Sequence, residues 1–234
     1  MTSVSIIDEL GTIKKLQQGY SIARFGDGEF RLINNKGICF QKNDAELSKK
    51  LLDIVTYNNI PNKLLVAIPP FFAENISDTS NHITNSKVQT YWDKYMKNKD
   101  SKNILKVLKK DKIYYSSFIS RLESFDLEYK NMIKEEIQNI WSNKKVILIV
   151  NPNKYELLRN NINGFIGQQK IERIIYCPEQ NAYDIYTDIY MECMKCGKEY
   201  VYLLMMGPTA SVLAKDLTES NFHAIDIGSF FEHM

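Results

Sequence analysis

Short apolar runs recur along the chain, and between them apolar residues return at helical spacing. Seven runs read as strands: Tyr20–Phe25, Leu64–Ile68, Ile113–Ile119, Lys145–Val150, Ile171–Cys177, Tyr200–Met206 and His223–Ile227. Each stops at Gly, Pro or a polar break, as a strand feeding a loop does. Helices are expected over Asp44–Tyr57, where Leu47, Leu51, Leu52 and Val55 share a face, and over Val88–Leu108, Leu127–Trp141, Ala182–Cys196 and Thr209–Ser220. Strands that are apolar throughout and alternate with helices imply a parallel sheet covered on both faces. The expected fold is α/β: a single Rossmann-like, doubly wound, mainly parallel sheet with helices on both faces, one domain over residues 1–234. The polar stretch Glu74–Lys87 reads as a surface connection, and its place after a strand also suits a lid.

Composition narrows the classes. With 234 residues, 44% of them hydrophobic, and with 14 Tyr and 11 Phe, the chain can bury a full core, which excludes disorder as its description. Lys plus Arg total 30 against 28 Asp plus Glu, and a net charge of +2 is too near neutrality for a dedicated nucleic-acid binder. No run approaches the roughly 18 apolar residues of a membrane span. Met1–Leu10 lacks the basic start and apolar run of a secretory signal, so a cytoplasmic location is expected. Cys193 and Cys196 form a C-x-x-C, but Cys39 and Cys177 are isolated and there are only three histidines to complete a zinc site. The pair falls late in a helix-like stretch, whereas a redox motif opens one, so both read as ordinary thiols.

In open α/β sheets ligands bind beyond the carboxyl ends of the strands. The first strand ends in Arg24-Phe25-Gly26-Asp27-Gly28-Glu29. If the backbone bends at Gly26 and Gly28, the two carboxylates point the same way and suit a hard cation such as Mg²⁺ or Mn²⁺. The plainer reading is an Asp-Gly turn with Glu29 opening the next segment. Arg24 could hold a carboxylate or an anionic ligand through bidentate bonds. Gly207-Pro208-Thr209-Ala210-Ser211 opens a helix, where free N–H groups favour phosphate; an ordinary cap by Thr209 or Ser211 is the alternative. Asn181 is placed to cap the helix beginning at Ala182. Arg121, after Ser120, could bind phosphate or pair with Glu123, and Asp226 is a further carboxylate near a strand end. These residues converge on one edge of the sheet, and that convergence is stronger than any of them singly. There is no Gly-x-Ser-x-Gly elbow, and His82, His223 and His233 suggest no triad. A carboxylate-held metal, a phosphate cradle and a cation point to transfer chemistry on a phosphate-bearing substrate.

Taken together, Arg24-Phe-Gly-Asp-Gly-Glu29, Ser120-Arg121, Cys177-Pro178-x-x-Asn181-Ala182, Gly207-Pro-Thr-Ala210 and Asp226-Ile-Gly228 resemble the GT-D-fold bacterial glycosyltransferases, in order and spacing, from about Tyr20 to Gly228. The resemblance implies transfer of a sugar from a nucleotide donor, typically UDP-linked, to a glycan or glycoprotein acceptor in bacterial surface polysaccharide or protein glycosylation. It implies Mn²⁺ (or Mg²⁺) at Asp27 and Glu29; Asp226 or Glu232 is the candidate base among the carboxylates of this chain. The donor is expected against Arg24, Gly26, Ser120, Arg121, Asn181, Gly207, Pro208 and Thr209. Such a role is compatible with peripheral association with a membrane-linked glycan assembly system. Two positions depart from the family pattern: Ser229 stands where His is common, and Leu122 where Pro is common. A metal-dependent phosphohydrolase or nucleotidyltransferase, or a non-catalytic nucleotide-sugar-binding domain, are the alternative readings.

Overall fold

A computed structural model describes residues 4–73 and 82–234. In chain order the elements are β1 (Ser5–Ile7), α1 (Glu9–Gln17), β2 (Ser21–Arg24), α2 (Asp27–Ile33), α3 (Ala45–Val55), β3 (Leu64–Ile68), α4 (Ser86–Lys97), α5 (Lys99–Val107) and β4 (Ile113–Ser116). They continue through α6 (Leu127–Gln138), β5 (Val146–Val150), α7 (Pro152–Ile162), β6 (Ile171–Tyr176), α8 (Tyr186–Met194), β7 (Val201–Met205), α9 (Thr209–Glu219) and β8 (His223–Asp226). The strands form one eight-stranded sheet in the order β1-β4-β3-β2-β8-β7-β5-β6, and every pairing is parallel.

The apolar runs explain the middle of the sheet. Every residue of β3, β5, β7 and β8 is buried, as strands covered on both faces must be. β6 closes one edge and is largely open to solvent. α1 packs on α6 over one face, while α9 packs on α3, β2 and β8 over the other. β5 and β7 are neighbours, yet β5 runs outward to β6 and β7 runs inward to β8. Their loops therefore part, and a crevice opens at the carboxyl ends, as the strand-order rule requires.

All seven expected strands are present, but β1 was not anticipated because three residues carry no readable period. The expected strand Ile113–Ile119 ends at Ser116, where a 3₁₀ turn over Ser117–Ser120 begins. The single helix expected over Val88–Leu108 is two, broken at Asn98, whose side chain caps the second by accepting from the Ser101 N–H at 2.9 Å. The helix expected from Ala182 begins as a 3₁₀ turn and becomes α-helical at Tyr186. α1, α2 and α7 were not expected. The expected connection Glu74–Lys87 lies outside the described residues over 74–81, and its last two residues already belong to α4. Among the described residues, no helix is long and apolar enough to cross a membrane.

Candidate functional site

A cleft of about 1080 Å³ lies across the carboxyl edge of the sheet. It takes its walls from the ends of β2, β4, β5, β6, β7 and β8, together with Ile38, Cys39 and Phe40 from the segment between α2 and α3. Of the residues singled out in the sequence, Arg24, Gly26, Asp27, Glu29, Arg121, Gly207 and Glu232 line it; Ser120, Asn181, Pro208, Thr209 and Asp226 do not.

Arg24 is the centre post rather than a free anion receptor. Its Nε donates to the Asp226 carbonyl at 2.8 Å, Nη1 to the Ser117 carbonyl at 2.9 Å and to Ser120 Oγ, and Nη2 to Asp226 Oδ1 at 3.4 Å. Four of its five N–H donors thus tie β2 to β8 and to the turn after β4. Asp226 is buried, and burial raises its pKa against the lowering effect of Arg24. A catalytic base must reach the proton it removes, and Asp226 sits outside the cleft, so the structure makes it a positioning residue. Ser120 belongs to the same network.

Asp27 and Glu29 are held differently from the expected bend. Neither Gly26 nor Gly28 has a positive φ; Asp27 and Glu29 form the first turn of α2, with Gly26 as N-cap. The Glu29 carboxylate turns back and accepts the Gly26 N–H at 2.7 Å, the reciprocal half of a capping box. Burial, reinforced by the Asp226 carboxylate, pushes Glu29 up to about 7. Asp27 accepts from the Tyr91 hydroxyl at 2.6 Å, and burial together with that carboxylate keeps Tyr91 protonated as a donor. Residues two apart on a helix do not face each other. Among the described residues no group of three or more Asp, Glu, His or Cys gathers to cage a metal. The donor set fits a hard cation that takes one or two protein carboxylates and completes its shell with water and phosphate.

The helix starts also differ from expectation. α9 has Pro208 at its N-cap and no side-chain cap; Thr209 is buried with an unpartnered hydroxyl, and Ser211 donates instead to the Arg24 carbonyl at 2.7 Å. Asn181 does not cap the turn at Ala182. It adopts a left-handed conformation (φ 54°) and accepts the Lys42 N–H at 2.7 Å. Arg121 lines the cleft while its Nε lies 3.2 Å from Glu123 Oε1, the surface pairing that the sequence offered.

Sequence reading missed the end of β5. Asn151 caps α7 by accepting the Lys154 N–H at 2.8 Å, and Asn151, Asn153 and Lys154 line the cleft. Lys154 forms an ion pair with Glu232. The available signal was Asn-Pro-Asn-Lys directly after a wholly buried strand, an N-cap, a Pro at the first helical position and a cation. Glu232 reaches the cleft because Phe230 and Phe231 are fully buried beside Phe165, and Asn161 donates to the Phe231 carbonyl at 2.9 Å. The histidines stand apart: His223 is buried, and burial lowers it to about 4, while His82 and His233 lie near Asp126 and Glu123. All four cysteines are free.

Comparison with known proteins identifies the family and the fold. Residues 22–233 match the family model described as glycosyltransferase GT-D fold. The chain is 30% identical over 218 residues to "Probable glycosyl transferase Gly" of Streptococcus gordonii and 29% identical over 216 residues to "Glycosyltransferase GlyD" of Streptococcus pneumoniae serotype 4. Each match covers 91% of this chain but only 30% and 25% of those longer proteins, so the chain spans between a quarter and a third of their length. A solved structure described as the highly conserved domain of unknown function 1792, with a distinct glycosyltransferase fold, superposes with a TM-score of 0.83 at 26% identity, covering 99% of this chain and 80% of the other. A glycosyltransferase of the same domain type from Streptococcus sanguinis shares the fold, with a TM-score of 0.82 at 24% identity over 99% of this chain and 83% of that one.

Proposed function

The chain belongs to the glycosyltransferase GT-D fold family, and on that premise we propose that it transfers a sugar from a UDP-linked donor to a glycan or glycoprotein hydroxyl, with a divalent cation at Asp27. The observation that carries this reading is that Asp27, Arg121 and Lys154 share one large cleft. A diphosphate needs cationic donors around it, and Arg121 and Lys154 are the cations at hand.

A cation bound there would neutralise the charge that grows on the departing diphosphate. The protein's own groups do the rest. Lys154 Nζ receives phosphate oxygens, and Tyr91 orients the Asp27 carboxylate. Glu29 fixes the first turn of α2 by holding Gly26, and Arg24 with Asp226 holds β2 and β8 in register beneath the cleft. In transfer, the bond from the sugar's anomeric carbon to the phosphate oxygen breaks as the acceptor oxygen bonds to that carbon. The acceptor proton passes to a base. Of the two carboxylates considered for that task, Glu232 is the one in the cleft.

Calorimetric titration with UDP, with and without Mn²⁺, tests the reading. Mn²⁺-dependent binding that disappears in Asp27→Ala is the expected result; equal binding in all conditions overturns the metal role. Product analysis separates transfer from hydrolysis, since a phosphohydrolase that cuts the diphosphate of a UDP-sugar releases UMP and a sugar 1-phosphate, where a transferase releases UDP and a glycosylated acceptor.

A further inference from the structure

Between α2 and α3 the chain makes a tight turn, Ile38 to Gln41, closed by the Ile38 N–H to Gln41 carbonyl bond at 2.9 Å. The turn packs against the first turn of α2 and the loop after β7. Ile38 Cδ1 lies 3.4 Å from where a β-carbon of Gly28 would be, and the Cδ2–Cε2 edge of the Phe40 ring lies 2.9 Å from the equivalent point on Gly207. Gly207 is at φ 61°, so the position both needs a glycine backbone and leaves room for the ring.

The turn is also fixed from the far side. The Asn181 N–H donates to the Phe40 carbonyl at 2.8 Å, and Asn181 Oδ1 accepts the Lys42 N–H at 2.7 Å. Lys42 Nζ pairs with Asp184 at 2.7 Å, and the Gln41 side chain is buried beneath. Phe40 itself stays 43% exposed in the cleft. A rigidly held, half-open aromatic ring is costly in water and is the kind of platform a flat heteroaromatic ring stacks on. The ring rests against Gly207 in the same cleft as Arg121 and Lys154, the cations proposed above to receive the diphosphate, and a nucleobase lies one ribose away from its phosphates.

We propose that Phe40 is the stacking platform for the donor's nucleobase, and that Asn181 is the positioning residue that latches the Ile38–Gln41 turn to hold it there. The assignment rests on the nucleotide-sugar reading above, and UDP in the presence of Mn²⁺ is the probe. Phe40→Leu weakens UDP binding roughly tenfold or more, in the range of base–aromatic stacking, without lowering thermal stability. Phe40→Trp restores affinity, and its added fluorescence is quenched by UDP at the concentration that calorimetry gives for binding. Asn181→Leu weakens UDP binding in the same way, while Asn181→Asp, which keeps the acceptor for the Lys42 N–H, preserves it. Unchanged UDP affinity in Phe40→Leu overturns the assignment, as does a rise in acceptor KM alone, which would make the ring an acceptor surface. If the unaltered protein binds no UDP, the donor reading itself falls and this assignment with it.

Discussion

The guanidinium of Arg24 lies directly against the α-carbon of Gly228, with Cζ 2.9 Å from where a β-carbon would stand. Gly228 is at φ 52°, so both its backbone and its lack of a side chain are required. Gly228→Ala should displace Arg24 from Asp226 and Ser117, and lower stability by about 2 kcal/mol or more through strain plus a broken buried ion pair. Gly19→Ala is the control, because Gly19 is at φ 84° with nothing within 4 Å and reports the backbone cost alone. Denaturant unfolding of both variants checks the difference, and an equal loss would remove the special role of Arg24.

Asp27 tests the chemistry. Asp27→Ala should reduce turnover with a UDP-sugar by roughly 100-fold, since it removes charge stabilisation worth several kcal/mol in the transition state. Tyr91→Phe deletes only the hydroxyl that orients that carboxylate at 2.6 Å and should cost much less, about threefold to tenfold. Steady-state rates across a Mn²⁺ series distinguish the two, with the metal response lost only in the first.

Lys154 tests the phosphate cradle. Lys154→Ala should weaken UDP binding by about tenfold and flatten its salt dependence, because a charge-assisted contact is removed. Folding should be little affected, since its partner Glu232 is partly exposed. Titrations at two ionic strengths provide the check.

Glu9 governs a pH dependence of stability. Its side chain is buried, accepts from Ser116 Oγ at 2.5 Å and Tyr129 Oη at 3.1 Å, and burial raises it to about 7. The folded-state pKa lies above the unfolded one, so folding takes up a proton between about pH 4.5 and 7. The contribution is fully present below the unfolded value and is lost as pH rises through 7. It amounts to about 3 kcal/mol. Unfolding free energies of the unaltered protein should therefore fall relative to Glu9→Gln between pH 4.5 and 8, and a constant difference would refute it. His223 titrates with the opposite sign and cancels in the comparison.

The site was legible in the sequence as a set of strand ends, and much less as a set of roles. Asp27, Glu29, Arg121 and Gly207 do line the cleft. Arg24 and Asp226, which look like ligands and bases in one dimension, bind each other across β2 and β8. Asn181, a natural cap by spacing, serves a turn 139 residues earlier. Beyond the helix start after a buried strand, nothing local to Lys154 marks it as a site residue, and it meets Glu232 only because the end of the chain folds back onto the start of α7.

What the sequence by itself determined is the alternation: continuous apolar runs become buried parallel strands because only a doubly covered sheet hides them, and their ends define the edge where ligands go. The tertiary structure alone decided the order β1-β4-β3-β2-β8-β7-β5-β6, which brings β2 beside β8 and sets Arg24 on Asp226 and Gly228. Local periodicity records which face of an element is buried. Which strand lies next to which is fixed by packing between residues some 200 positions apart (Arg24 and Asp226 are separated by 202), and no local pattern carries that information.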